Sequence, residues 1–120
     1  MTNLTEFTFL SSDGKTRLHA MQWLPEGTPR AVLQISHGVA EHIGRYDHFA
    51  RFLNQHGYIV TAEDHIGHGG SIVGDLKGYF NGGWMNAVAD VKALHDKTAA
   101  EHPGLPYIFL GHSMGSFLLR

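Results

Sequence analysis

Gly111-His112-Ser113-Met114-Gly115 fits the pattern G-x-S-x-G. Gly and Ser are common enough that the pattern alone is a weak signal, and its setting gives it weight. The apolar run at 107–110 (YIFL) reads as a buried strand. A helical pattern opens at Ser113, with Met114, Phe117 and Leu118 on one face. A serine on a strand-to-helix turn can act as a nucleophile, because the turn lifts its Oγ above the sheet. The turn is tight enough that Cβ atoms at 111 or 115 would collide with neighbouring backbone. The N–H of Met114 then lies at a helix N-terminus, where it can donate to a developing oxyanion. The competing reading is plainer: a Ser N-cap in a Gly-rich turn.

Such a turn needs a second oxyanion donor, from the loop after the third strand. His37-Gly38-Val39 stands there, and Gly38 would let the chain turn the Val39 N–H into the site. The location of His37 suggests a structural role, its ring bonded to loop backbone.

The elements that must position these groups follow from periodicity. Residues 6–10 and 16–24 read as an edge hairpin around Ser12-Asp13-Gly14-Lys15. Ala31–Ser36 and residues 58–62 and 107–110 are short apolar runs typical of buried strands. Residues 45–56 carry Tyr46, Phe49, Ala50 and Leu53 at helical spacing, with Gly57 following as a C-terminal stop. The aromatics Tyr46, Phe49 and Phe52 read as core. Residues 84–101 put Trp84, Ala87, Val88, Val91, Leu94 and Thr98 on one helical face, and Pro103 ends that helix. The order β-β-β-α-β-α-β-α implies an α/β fold with a mainly parallel sheet covered on both faces. Ligands of such sheets sit beyond the carboxyl ends of the strands. The residues that matter most are therefore Ser36-His37-Gly38, Glu63-Asp64-His65 and Gly111-His112-Ser113.

Composition excludes other classes. Nine Lys+Arg stand against eleven Asp+Glu, a net charge of −2. That is no footprint for nucleic acid or an anionic membrane. There is no cysteine, hence no disulfide framework and no thiolate metal site. No stretch approaches the roughly 18 apolar residues of a membrane span. The N-terminus lacks the basic start and apolar core of a signal peptide, so a soluble cytoplasmic protein is the expectation. Ten histidines make the charge pH-sensitive: full protonation would move it from −2 to +8.

Three motifs together carry a resemblance. His37-Gly38-Val39-Ala40-Glu41-His42-Ile43-Gly44-Arg45-Tyr46 resembles the HGxxEHxxRY signature of monoacylglycerol lipases and lysophospholipase-like enzymes. Those are α/β hydrolases also grouped as serine aminopeptidases of the S33 type. Asp64-His65-Ile66-Gly67-His68-Gly69-Gly70-Ser71 is similar to that family's D-x-x-G-H-G-x-S loop, and GHSMG at 111–115 to its nucleophile elbow. The motifs occur in family order across essentially the whole chain.

The resemblance implies Ser113 as nucleophile, with Val39 and Met114 as oxyanion-hole donors. His37, Gly38, Glu41, Arg45, Asp64, Gly111 and Gly115 would support the loops. Glu41 and Arg45 are four apart and could pair, or stay solvated. The implied substrates are monoacylglycerols, lysophospholipids or short-chain acyl esters, with no metal or organic cofactor. A peptidase is the weaker reading, since nothing here reads as a site for a peptide amino terminus.

The family's triad runs Ser, then Asp or Glu, then His. No Asp, Glu or His follows Ser113. The expectation is one partial domain over residues 1–120: the first half of an α/β-hydrolase core, with cap, acid and base supplied elsewhere. His112 would point into the fold. His65 and His68 lie at the correct end of the sheet, but only Asp64 is near to orient them.

Other classes are weaker. Asp64, His65 and His68 offer D-H-x-x-H, with His37 and His42 possible neighbours, but such a pattern on a Gly-rich loop is a poor metal signal. Gly67 to Ile72 lacks the third glycine of a dinucleotide fingerprint and follows the fourth strand, not the first. A non-catalytic fragment acting by pairing is the remaining alternative. The family's strand order, 1-2-4-3-5, would leave residues 107–110 as an apolar edge open to pairing. The 120-residue chain alone is therefore expected to aggregate or self-associate through that edge; a monomeric, two-state unfolding transition would contradict this.

Overall fold

The computed structural model describes residues 3–11, 14, 17–36, 43–64 and 84–111. A five-stranded sheet is formed by β1 (Asn3–Leu10), β2 (Arg17–Leu24), β3 (Ala31–Ser36), β4 (Tyr58–Glu63) and β5 (Tyr107–Gly111), in the order β1-β2-β4-β3-β5. The hairpin β1–β2 is antiparallel, from Asn3↔Leu24 to Leu10↔Arg17, and β2 pairs antiparallel with β4. Strand β3 pairs in parallel with β4 on one side and β5 on the other. Two α-helices, α1 (Asp47–Gln55) and α2 (Trp84–Glu101), and a 3₁₀ turn, Ile43–Tyr46, complete the described elements. This is the α/β arrangement, hairpin first, that the residue pattern predicts.

The central strands are apolar because both their faces are covered. Alternate residues on a strand point to opposite faces. One face gathers Trp23, Ile35, Val60 and Ala62 against Ala50 of α1, with Met21, Leu33, Tyr46 and Leu53 packed around them. The other face carries Leu18, Ala20, Val32, Gln34, Ile59 and Thr61, all buried. There α2 docks: Val91 and Leu94 are buried, and Gln34 Nε2 donates to the Val91 carbonyl at 3.1 Å. The Tyr107 hydroxyl donates to Gln34 Oε1, so this buried amide ties α2 to β5 through β3. Burial pushes the Tyr107 phenol well above its ordinary range, only partly offset by a hydrogen bond with Thr98.

Several expectations are refined. The helical segment near 45 starts as a 3₁₀ turn, Ile43–Tyr46, before α1 proper. Gly57 does stop α1: its φ is +86°, and its N–H donates to the Asn54 carbonyl at 3.1 Å. A Cβ there would also meet the Arg30 side chain at 3.0 Å. Strands β4 and β5 each run one residue further than their apolar runs, to Glu63 and Gly111. The turn at Ser12-Asp13-Gly14-Lys15 lies outside the described residues apart from Gly14, whose φ is +76°. The helix expected from Ser113 lies outside them too.

One expectation is corrected. Phe49 and Phe52 are not core: they are 39% and 51% exposed. The inward face of α1 is filled by Ala50, Leu53 and Asn54, and this turns 49 and 52 outward at about 100° per residue. Among the described residues β5 is the last strand of the sheet, with Ile108, Phe109 and Leu110 all exposed. No helix among the described residues is long and apolar enough to cross a membrane.

The joint between α1 and β4 depends on one amide. Asn54 Nδ2 donates to the carbonyls of Trp23, at 3.2 Å, and Tyr58, at 2.6 Å. Asn54→Ala leaves two acceptors short of a donor in a buried place. It should lower the stability of the folded protein by roughly 1–3 kcal/mol in urea unfolding; an unchanged midpoint would mean that the amide is dispensable.

Candidate active site

The sheet register brings three strand ends level. Ser36 pairs with Gly111, and the parallel step Ile35↔Ala62 continues to set Ser36 beside Glu63. Glu63 pairs in turn with Ala20 of β2. Neighbouring strands lie about 4.8 Å apart, so the chain leaves β3 and β5 from adjacent positions, while β4 ends one strand further on. The three stretches singled out by the ligand rule for α/β sheets thus emerge from one end of one sheet.

That end is rich in buried acid. Asp64, just past β4, is 2% exposed. Its Oδ2 lies 2.6 Å from Nδ1 of His19, and its N–H donates to the His19 carbonyl at 2.8 Å. The other ring nitrogen of His19, Nε2, is 2.9 Å from Oε1 of Glu6 on β1. Two carboxylate acceptors require two ring N–H donors, which is the imidazolium form. Burial pulls the His19 pKa down, but the bonds to Asp64 and Glu6 and their charges outweigh it and hold it above the ordinary 6.5.

On the α2 face, Asp90 is buried and accepts a hydrogen bond from Ser11 Oγ at 2.7 Å, across 79 residues of sequence. Close by lies Glu63, 1% exposed, with no hydrogen-bond partner on either carboxyl oxygen among the described residues. Desolvation first, then the charges of Asp90 and Asp64, push its pKa well above the ordinary 4.5. Its neutral form is the one the fold favours.

Of the residues singled out from the sequence, Asp64 and Gly111 stand at this end of the sheet. Ser113, Met114, Gly115, Val39, His37, Gly38 and Glu41 lie outside the described residues, as do His42, His65, His68 and His112. Arg45 is described only as part of the 3₁₀ turn. Among the described residues no group of three or more His, Asp or Glu is arranged to hold a metal ion.

Sequence reasoning missed His19, Glu6, Ser11 and Asp90. For Asp90 a signal existed: an acid one position before Val91, inside the apolar stripe of α2. His19 gave none, because a polar residue between Leu18 and Ala20 is what any half-exposed strand shows.

Comparison with known proteins agrees with this geometry. Residues 27–120 match the family model described as serine aminopeptidase, S33. The chain is 40% identical to the human monoglyceride lipase over 111 residues, covering 88% of this chain and 34% of that protein. It is 41% identical to the monoacylglycerol lipase of Mycolicibacterium smegmatis over 102 residues, covering 85% and 35%. Among solved structures, a thermostable carboxyl esterase from Bacillus coagulans superposes with a TM-score of 0.88 at 34% identity, over 96% of this chain and 38% of that one. A soluble variant of the monoglyceride lipase from Saccharomyces cerevisiae gives 0.78 at 25% identity, over 96% and 36%. The chain spans about a third of the length of the curated relatives it matches.

The buried carboxyl of Glu63 yields a pH-dependent prediction. Because its folded pKa is raised, its contribution to stability is intact below about pH 4.5 and is lost as pH rises toward the folded value. Glu63→Met removes the buried carboxyl at similar volume. Urea unfolding should show it more stable than the wild type by roughly 1–3 kcal/mol at pH 8, with a smaller gain at pH 4. A loss at pH 8 would mean that the carboxyl has a stabilising partner.

Proposed function

Because the chain belongs to the serine aminopeptidase S33 family and forms the N-terminal portion of an α/β-hydrolase fold, we propose that the protein is a serine carboxylic-ester hydrolase. Its proposed substrates are monoacylglycerols, lysophospholipids or short-chain acyl esters. Ser113 is the nucleophile. Its Oγ attacks the ester carbonyl carbon while a histidine outside residues 1–120, oriented by a carboxylate also outside them, takes its proton. The N–H groups of Val39 and Met114 hold the oxyanion. The tetrahedral intermediate collapses with loss of the alcohol, which takes the proton back from that histidine. Water then hydrolyses the acyl-enzyme and frees Ser113. His37, Gly38, Glu41 and Arg45 shape the oxyanion loop, Gly111 and Gly115 the elbow, and Asp64 the loop after β4.

The observation that carries this reading is the pairing of Ser36 with Gly111. One is the last strand residue before His37-Gly38-Val39; the other is the first residue of the GHSMG motif. Adjacent strand ends support the reading, because the chemistry needs the two proposed donor loops to start side by side. The exposed apolar face of β5 favours one second reading: that this chain is active only when another segment pairs along that edge.

The test is intact-mass analysis after exposure to a fluorophosphonate, with Ser113→Ala as control. The complete protein should take up one adduct, and the variant none. Ester hydrolysis in the variant should fall by roughly 10⁴-fold or more. The 120-residue chain alone should label far more slowly, for want of a base. Labelling that persists in the variant would remove Ser113 from the mechanism.

A further inference from the structure

His19 lies outside the residues matched by the family model, 27–120, yet it makes both described bonds to a residue inside that span. Asp64 is the point at which β4 hands over to residues 65–70. His19 holds it by two different groups: the imidazole bonds the carboxylate, and the backbone carbonyl accepts the Asp64 N–H. The far side of the same ring is braced against Glu6 of β1. The edge hairpin is therefore fastened to the end of a central strand at the level where the active-site loops begin.

We propose that His19 is a positioning residue, which through its bonds to Asp64 holds the end of β4, the point from which the following loop leaves the sheet. The proposal rests on the esterase reading for its catalytic consequence, but the anchoring itself does not. Exposed ion pairs generally contribute little. This one differs because the Asp64 side chain is only 3% exposed, so an unmade bond leaves a buried carboxylate with less to hold it. The described titratable and charged groups around His19 are Glu6 on β1, Asp64 after β4, and Arg17 on the same face of β2, itself bonded to Thr8.

The sign of the pH effect follows. A histidine raised above 6.5 keeps its full contribution below that pH and loses it as pH rises through the folded value. Loss of the second ring proton then breaks one of the two bridges, and the hold on Asp64 slackens.

Three variants separate anchoring from mere packing. In His19→Asn the amide nitrogen takes the place of Nδ1 and can still reach Asp64. In His19→Gln it takes the place of Nε2 and can reach only Glu6. His19→Phe fills the space with neither bond. Each variant of the full-length protein is measured for exchange of the Asp64 amide, for fluorophosphonate reactivity, and for kcat/KM on a short-chain ester from pH 5 to 9. The expected result is faster Asp64 exchange in the Gln and Phe variants and near wild-type exchange in Asn. Gln and Phe should also lose about 10–100-fold in kcat/KM near pH 6, with Asn recovering most of it. The alkaline fall of the wild-type profile should be missing from all three. Equal exchange in all four proteins, or a Gln profile that superimposes on the wild type, overturns the proposal. If the wild type takes up no fluorophosphonate and cleaves no ester, the esterase reading fails, and the exchange arm still decides the role of His19.

Discussion

The central constraint is that β3 is paired in parallel on both sides. A strand with parallel neighbours left and right has no free edge, and each of its connections must cross a face of the sheet. Here α1 covers one face and α2 the other. That requirement explains the composition of β3 and β4, which are buried almost throughout. It also explains the level strand ends, because parallel pairing sends the carboxyl ends of β3, β4 and β5 to the same side. Everything proposed for the chemistry depends on that coincidence: two loops leaving adjacent strands can converge on one carbonyl, whereas antiparallel neighbours would send them to opposite ends.

Covering both faces has a cost where polar residues fall on them. Gln34 meets it with two partners, the Val91 carbonyl and the Tyr107 hydroxyl, and so becomes a link rather than a defect. Asp90 is met by Ser11, the residue that follows β1. Glu63 is not met among the described residues, and its burial favours the neutral carboxyl. A fold that needed only stability would put a hydrocarbon at 63. Its position, level with Ser36 and one residue before Asp64, is where strained or unsatisfied groups are expected if the nearby loops are built for function.

Much of this was legible in the residues. Runs such as AVLQIS and YIFL were legible as short strands between their turn signals, though only the first is buried, since Ile108, Phe109 and Leu110 of β5 are exposed; the stripe on α2 is long enough to define its face. The proposal of Ser113, Val39 and Met114 as the reacting groups rests on motifs that follow strand ends in order. What stayed hidden are pairings set by three-dimensional closure. Ser11 and Asp90, or His19 and Asp64, are far apart in sequence, and no local pattern links them. The misjudged residues, Phe49 and Phe52, show a different limit. On a nine-residue helix only about two turns face the sheet, and Ala50, Leu53 and Asn54 suffice to fill them.

The hairpin shows how closure adds what the motifs alone lack. Strand β1 is largely exposed and contributes little to the core. Its contacts lie elsewhere: Phe7 receives the Lys97 ammonium of α2 at 4.4 Å on one face, and Glu6 grips His19 on the other. Both tie it to elements that cover or end the parallel sheet. A strand placed at an edge for sheet-making alone would need neither. The polar grip points the same way as the register: the edge hairpin serves less to enlarge the core than to hold the end of β4 at a fixed height near the strand ends from which the proposed reaction would be built.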